Sequence, residues 1–315
     1  MITGGSGFLG QWLAKSIIDS GDEVVLYDVR KNTSILGRKE KQVVFQLGGI
    51  EQIEELERAL KRYKPSVLIH YAALLSATAE ADPTKGYSVN ISSLWSLFEA
   101  ARKNGVEEVV FASSTLAYGD DDAPTMKEFM YSPPVTLYGI SKIYGEMLGS
   151  WYQRKYGIEF AALRYASVIG PGRGEGGATA YATLMFQKAA QGEPYVVRLP
   201  KDARIPIVYV KDAVDATLAV RKRISLLRER ILNVVGLRRN PTAGELVASA
   251  KRVIPDARIT FEPDEEMSRM IASSRRNMDM TRLTELGWKP RFGNLDHLVS
   301  DFVEEVRTNP QQYRV

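Results

Sequence analysis

The chain contains no cysteine among its 315 residues, which excludes disulfides, thiolate catalysis and cysteine-ligated zinc together. Such depletion fits a hot habitat, where thermolabile residues are fewer. No apolar run approaches the ~20 residues of a membrane helix, and the N-terminus shows no secretory pattern, so the expected compartment is the cytoplasm with no membrane partner. Charge of one sign is also scarce, with a formal net charge of only +4 and no basic cluster interleaved with aromatics. Nucleic-acid binding is therefore not expected. There is no internal repeat or low-complexity linker. With 44% apolar residues, the chain is long enough for one large or two modest domains.

What is present begins at once. Glycines recur as Gly4, Gly7 and Gly10, followed by an apolar stretch at helical spacing that holds Trp12, Leu13, Ile17 and Ile18. Residues 23–28 then read as a short buried strand that ends in the carboxylate of Asp28. A glycine-rich turn, a helix and a second strand with an acid at its end form a dinucleotide-binding pattern. Gly4, Gly7, Phe8, Leu9 and Gly10 would cradle the pyrophosphate at the helix N-terminus, where backbone N–H groups and the helix dipole favour an anion. Asp28 would accept hydrogen bonds from the adenosine ribose, which favours NAD. Arg30 could meet a 2′-phosphate, so NADP stays open. Only Met1 and Ile2 precede Thr3, so either the first strand is clipped or a few native residues are missing.

Further strands are expected at 43–47, 67–71, 109–113 and 160–164, with helices at 50–63, 87–104 and 137–156. Repeated alternation predicts an α/β fold: a Rossmann-type, doubly wound parallel sheet with its chemistry at the carboxyl ends of the strands. Ala72 and Ala73, Ser113 and Ser114, and residues 165–168 all fall at such ends. From about Gly170 a glycine-dense loop and scattered prolines change the texture. The expected division is a nucleotide-binding domain over 1–169, to which 205–235 returns, and a smaller C-terminal substrate-capping lobe made from 170–204 and 236–315.

Tyr138 and Lys142 stand at i and i+4, on one face of the expected helix 137–156. A phenol of pKa near ~10 is a poor base at neutral pH, but a nearby ammonium favours the phenolate. A phenolate so tuned can take a proton from a secondary alcohol while a cofactor takes the hydride. Ser114, at the end of a strand, would orient the reacting oxygen.

The residues 3–10, Asp28, Asn90, Ser114, Tyr118, Gly119, Tyr138 and Lys142 together resemble the extended short-chain dehydrogenase/reductase family over nearly the whole chain. The runs Ile69-His70-Tyr71-Ala72-Ala73 and Leu286-Gly287-Trp288-Lys289-Pro290 add to the likeness. The resemblance implies that Tyr138 is the general acid/base. It implies too that Lys142 binds the nicotinamide ribose and lowers the Tyr138 pKa, that Ser114 bonds the reacting oxygen, and that Asn90 supports the site. Ala72, Ala73 and Tyr165 would join the NAD site. The family often has an adenine-binding acid near the third strand's end; Gly49 stands there, leaving the N–H of Ile50. The resemblance also suggests that helices 87–104 and 137–156, apolar on more than one face, pair with a second copy in a four-helix dimer interface.

Departures narrow the choice. Sugar-nucleotide dehydratases carry Asp-Glu after the catalytic hydroxyl residue, and here Thr115 and Leu116 occupy those places, so elimination of water is not expected. Epimerases usually hold an asparagine where this chain reads Arg164-Tyr165-Ala166-Ser167. The segments 74–80, 176–182 and 205–209 look like those of short-chain type L-threonine 3-dehydrogenases, where they line a pocket for a small amino-alcohol. Ala178 and Ala180 replace expected polar residues, and Ser273-Ser274-Arg275-Arg276 lacks an expected Trp-Pro. The reading is an NAD-dependent oxidoreductase of a small secondary alcohol, with a UDP-sugar 4-epimerase as the alternative. Ser76, Ser114, Thr179 and Arg204 are the expected substrate contacts, although Arg204 suits a surface salt bridge equally well. His70 reads as packed at the end of a buried strand, and His297 as part of a C-terminal amphipathic helix. Asp120, Asp121 and Asp122 read as a solvated loop, and no metal site is expected.

Overall fold

The computed structural model describes residues 1–119, 123–130, 132–174, 179–265, 267–268 and 276–313. The acidic run 120–122, the 176–178 part of the glycine-dense loop and 273–275 lie outside the described residues.

Seven strands form the main sheet: β1 (Ile2–Thr3), β2 (Val24–Asp28), β3 (Val43–Leu47), β4 (Val67–His70), β5 (Glu108–Ser114), β7 (Glu159–Tyr165) and β11 (Ile231–Val234). Their spatial order is β11-β7-β5-β4-β1-β2-β3, and every pairing is parallel. The order runs outward in both directions from β1, as a doubly wound sheet requires. Three two-stranded parallel pairs complete the described strands: β6 (Thr125–Met126) with β13 (Asn277–Met278), β8 (Ser167–Ile169) with β10 (Ile207–Tyr209), and β9 (Tyr195–Val197) with β12 (Ile259–Phe261).

Helices cover both faces, which is why the central strands are apolar throughout rather than alternating. One face carries α1 (Phe8–Asp19) and α8 (Val210–Lys222), with Trp12, Leu13, Ile17 and Val214 packed over Leu26 and Ile69. On the other lie α2 (Ile53–Tyr63), α5 (Ser93–Lys103) and α6 (Leu137–Tyr156), whose Leu56, Leu97, Phe98 and Tyr152 meet Val109, Phe111 and Phe160. Each such fully buried side chain contributes roughly 1.5–3 kcal/mol of transfer free energy. The first core does not stop at the sheet. It continues into Met185 and Phe186 of α7 (Tyr181–Ala190), Leu246 of α9 (Ala243–Val253) and Phe302 of the helix Leu295–Thr308.

Between β4 and α5 the chain departs from the expected continuous helix 87–104. Short helices α3 (Ser76–Ala81) and α4 (Pro83–Tyr87) lead into a single π turn, Ser88–Ser92, before α5 begins. Apolar spacing cannot register a π turn, because one added residue merely rotates the pattern. Here it carries Asn90 inward, where the side chain is buried. Among the described residues no helix is long and apolar enough to cross a membrane.

Candidate active site

The first half of the site is backbone. Gly4 adopts φ +67°, and a Cβ on it would stand 2.6 Å from the amide nitrogen of Ala72, so only glycine lets β1 turn this close to the end of β4. Gly7 is the N-cap of α1 and makes no side-chain cap, which leaves the first-turn N–H groups of Phe8, Leu9 and Gly10 available to an anion. The Phe8 side chain itself packs against the core. Asp28, at the carboxyl end of β2, accepts the Ser6 N–H at 3.0 Å and so lies against the glycine turn. Ile50 is buried, and its N–H has no hydrogen-bond partner among the described residues.

Asn90 fixes the loop that leaves β4. Its Oδ1 accepts the Leu74 N–H at 2.8 Å and its Nδ2 donates to the Leu74 carbonyl at 2.9 Å, a two-point clamp beyond Ala72 and Ala73. This cradle, with a carboxylate at the ribose position, suits a dinucleotide: Gly4, Gly7 and the N–H groups of Phe8, Leu9 and Gly10 for the pyrophosphate, Asp28 for the adenosine ribose. Tyr165 sits differently from that expectation. Its ring is buried and its hydroxyl pairs with Thr217 at 2.6 Å and Tyr71 at 3.3 Å, so the side chain serves the core beneath α8.

The second half is made of side chains. Thr136 caps α6 by accepting the Gly139 N–H at 3.0 Å, and Glu80 accepts the Leu137 N–H at 2.7 Å. A Cβ on Gly139 would fall 2.2 Å from the Leu116 carbonyl oxygen, so glycine lets the start of α6 press on the turn that follows Ser114. That approach brings the Tyr138 phenol near Ser114, whose hydroxyl favours the ionised phenol. Ser114 Oγ already accepts the Leu116 N–H at 3.2 Å, which leaves its proton to be donated. Lys142 is 5% exposed, and its Nζ stands 4.9 Å from the Tyr138 ring centroid and 5.0 Å from that of Phe111. One turn on, Glu146 receives Ser113 Oγ at 2.5 Å and a bidentate pair from Arg164 at 2.7 and 2.6 Å, which ties α6 to β5 and β7.

The electrostatics differ from the sequence expectation at one point. Burial pushes the Tyr138 phenol up to about 12, while Ser114 and the charge of Arg173 act in the opposite direction. Burial also lowers Lys142 itself to about 8, with Glu146 holding it up. His70 is packed, as expected. It bonds Thr3 Oγ1 at 2.6 Å, stacks on Phe111, and is lowered to about 3 by burial and by Lys142.

Of the expected substrate contacts, Ser114 meets Tyr138, and Thr179 accepts a hydrogen bond from Arg173 at 3.4 Å. Ser76 opens α3 beyond the Asn90 clamp. Arg204 is engaged elsewhere, donating to the Asn240 carbonyl at 2.8 Å and facing Glu245 at 3.8 Å, which is the salt-bridge alternative. Neither Arg173 nor Glu80 is among the individually expected site residues, although Arg173 lies in the glycine-dense loop and Glu80 ends the segment 74–80 that the resemblance places along the pocket.

A family model described as the NAD dependent epimerase/dehydratase family matches residues 1–235. The mitochondrial L-threonine 3-dehydrogenase of Sus scrofa is 32% identical over 311 residues, covering 95% of this chain and 80% of that protein. Among solved structures, a GalE-like L-threonine dehydrogenase from Cupriavidus necator superposes with a TM-score of 0.85 at 28% identity, covering 97% of this chain and 98% of that one. The UDP-glucose 4-epimerase of Thermotoga maritima, solved with UDP-glucose, gives 0.83 at 26% identity and 98% coverage of both chains. With the doubly wound sheet, the glycine turn and these likenesses in agreement, the chain belongs to the NAD dependent epimerase/dehydratase family.

Proposed function

We propose that this chain is an NAD-dependent dehydrogenase of a small secondary alcohol, with L-threonine as its leading substrate. The observation that carries the reading is the meeting of Tyr138, Ser114 and Lys142 at the carboxyl end of β5. When bound, the nicotinamide supplies a two-electron acceptor for the carbinol hydride. Tyr138, as phenolate, takes the hydroxyl proton as the carbonyl forms, and Ser114 donates to the reacting oxygen and fixes its position. Lys142, one turn along α6 from Tyr138, would hold the nicotinamide ribose and favour the phenolate. Asp28 favours NAD over NADP through the ribose hydroxyls.

The likeness to L-threonine 3-dehydrogenases supports the substrate class. The likeness to a UDP-glucose 4-epimerase supports a second reading, in which one sugar carbon is oxidised and reduced again. Against it stand Ala166 and Ser167, where epimerases usually carry an asparagine. Absorbance at 340 nm separates the two. NADH should accumulate with NAD and L-threonine. Silence with L-threonine, together with conversion of UDP-glucose to UDP-galactose without net NADH, would replace the dehydrogenase by the epimerase.

A second copy of this chain would cover the apolar surface shared by α4, α5 and α6, where Tyr87, Ile140 and Met147 stand exposed and Trp95 is 47% exposed. A dimer by light scattering, reduced to monomer by Trp95→Glu, is the expected result.

A further inference from the structure

Arg173 is a partly buried cation whose described partners are all uncharged. It follows β8, and its Nη1 donates to Ser167 Oγ at 3.1 Å and to the Val168 carbonyl at 2.6 Å, while Nη2 donates to Thr179 Oγ1 at 3.4 Å. Among the described residues no carboxylate forms an ion pair with it, whereas Arg164 has Glu146 and Arg204 faces Glu245. A guanidinium withdrawn from water without a counter-charge is unfavourable until an anion joins it. Three of its N–H donors are used, and the Nε–H and one Nη2–H are left. The side-on edge of a guanidinium, formed by Nε–H and an Nη2–H, matches both oxygens of a carboxylate. Arg173 lies in the stretch between β8 and α7 beside Thr179, and its charge favours the ionised Tyr138 phenol.

We propose that Arg173 is the carboxylate-binding residue of this site, its Nε–Nη2 edge holding a 3-hydroxy acid whose hydroxyl lies on Tyr138 and Ser114. The proposal rests on the dehydrogenase reading and sharpens it. In such an acid one carbon separates the carboxylate from the carbinol, so the proposal requires both anchors to lie within the reach of one small molecule. Ser167, Val168 and Thr179 hold the guanidinium in a fixed plane, so little side-chain freedom is lost on binding. The site then selects hydroxy acids over alcohols that match them in every other group.

The test compares L-threonine with 1-aminopropan-2-ol, which keeps the amine and the carbinol and lacks the carboxylate. In Arg173→Ala the ratio of kcat/KM for L-threonine to that for 1-aminopropan-2-ol should fall about 10- to 100-fold, chiefly through KM, as expected for losing a charge-assisted pair. Arg173→Lys, which keeps the charge and loses the fork, should fall between the parent and Arg173→Ala. An unchanged ratio with both substrates impaired alike would make Arg173 a structural residue and overturn the proposal. A binding measurement separates this failure from failure of the dehydrogenase reading. Titrating 3-hydroxybutyrate into NADH-loaded protein, followed by nicotinamide fluorescence, needs no turnover. If L-threonine is not oxidised but 3-hydroxybutyrate binds to the parent and not to Arg173→Ala, the carboxylate site stands without the threonine reading. Equal binding to both, or binding of inorganic phosphate in place of 3-hydroxybutyrate, overturns it.

Discussion

The two halves of the site are made of different material. The cofactor half comes mainly from a short stretch of chain, Gly4 to Asp28, and works through backbone N–H groups, a glycine turn and one carboxylate, with the end of β4 and the Asn90 clamp as distant supports. The substrate half gathers Ser114, Tyr138, Lys142, Arg173 and Thr179 from the end of β5, the first turns of α6 and the stretch between β8 and α7, and works through side-chain groups. A backbone site is specified by where glycine is required. A side-chain site is specified by how closely the elements that carry it approach. The first should therefore tolerate changes in the second, and the reverse should hold less well.

The sharpest break is Tyr138→Phe, which should lower turnover about 10²- to 10⁴-fold while NADH affinity, read by fluorescence titration, stays within a few-fold. Loss of cofactor affinity on the same scale would mean that the halves are not separable. Next comes Gly139→Ala. The new Cβ, 2.2 Å from the Leu116 oxygen, pushes Tyr138 away from Ser114, and a shift of about 1 Å costs about 10²-fold in kcat/KM. Parental kinetics in that variant would show that the approach of α6 does not set the geometry. Asp28→Ala acts on the other half: NAD affinity should fall about tenfold and NADP affinity less, and the opposite ranking would refute the ribose assignment. The smallest effect is electrostatic. The phenolate is the working form, so kcat/KM should rise with pH toward the phenol's apparent pKa. Removing a cation raises that pKa. Arg173→Ala should thus move the rising limb to higher pH, and a limb that stays in place or moves down would dissociate Arg173 from Tyr138.

Legibility in the sequence followed the same divide. Helix 137–156 is found with both expected ends, because Thr136 caps its start and Gly157, at φ +74°, closes it: both are local signals. β3 likewise matches 43–47. The expected helix 87–104 is interrupted, since the π turn that carries Asn90 inward leaves the apolar period almost unchanged. The spacing of Tyr138 and Lys142 put them on one face but did not say that the ammonium would lie over the two rings. Arg204 and Arg173 look alike as isolated arginines, and only packing pairs one with Glu245 and leaves the other without a described counter-charge.

By itself the sequence determined the alternation of strands and helices, the glycine turn with its acid, and the identity of the groups able to move a proton. Backbone hydrogen bonding, capping and side-chain periodicity act within a few residues, so one chain displays them. Only the tertiary structure decided which carbonyl Gly139 must approach, which way the Lys142 charge faces, and which arginine is left for a ligand. Burial and Coulomb interactions depend on distances between segments, such as Arg173 and Tyr138, that share no local pattern.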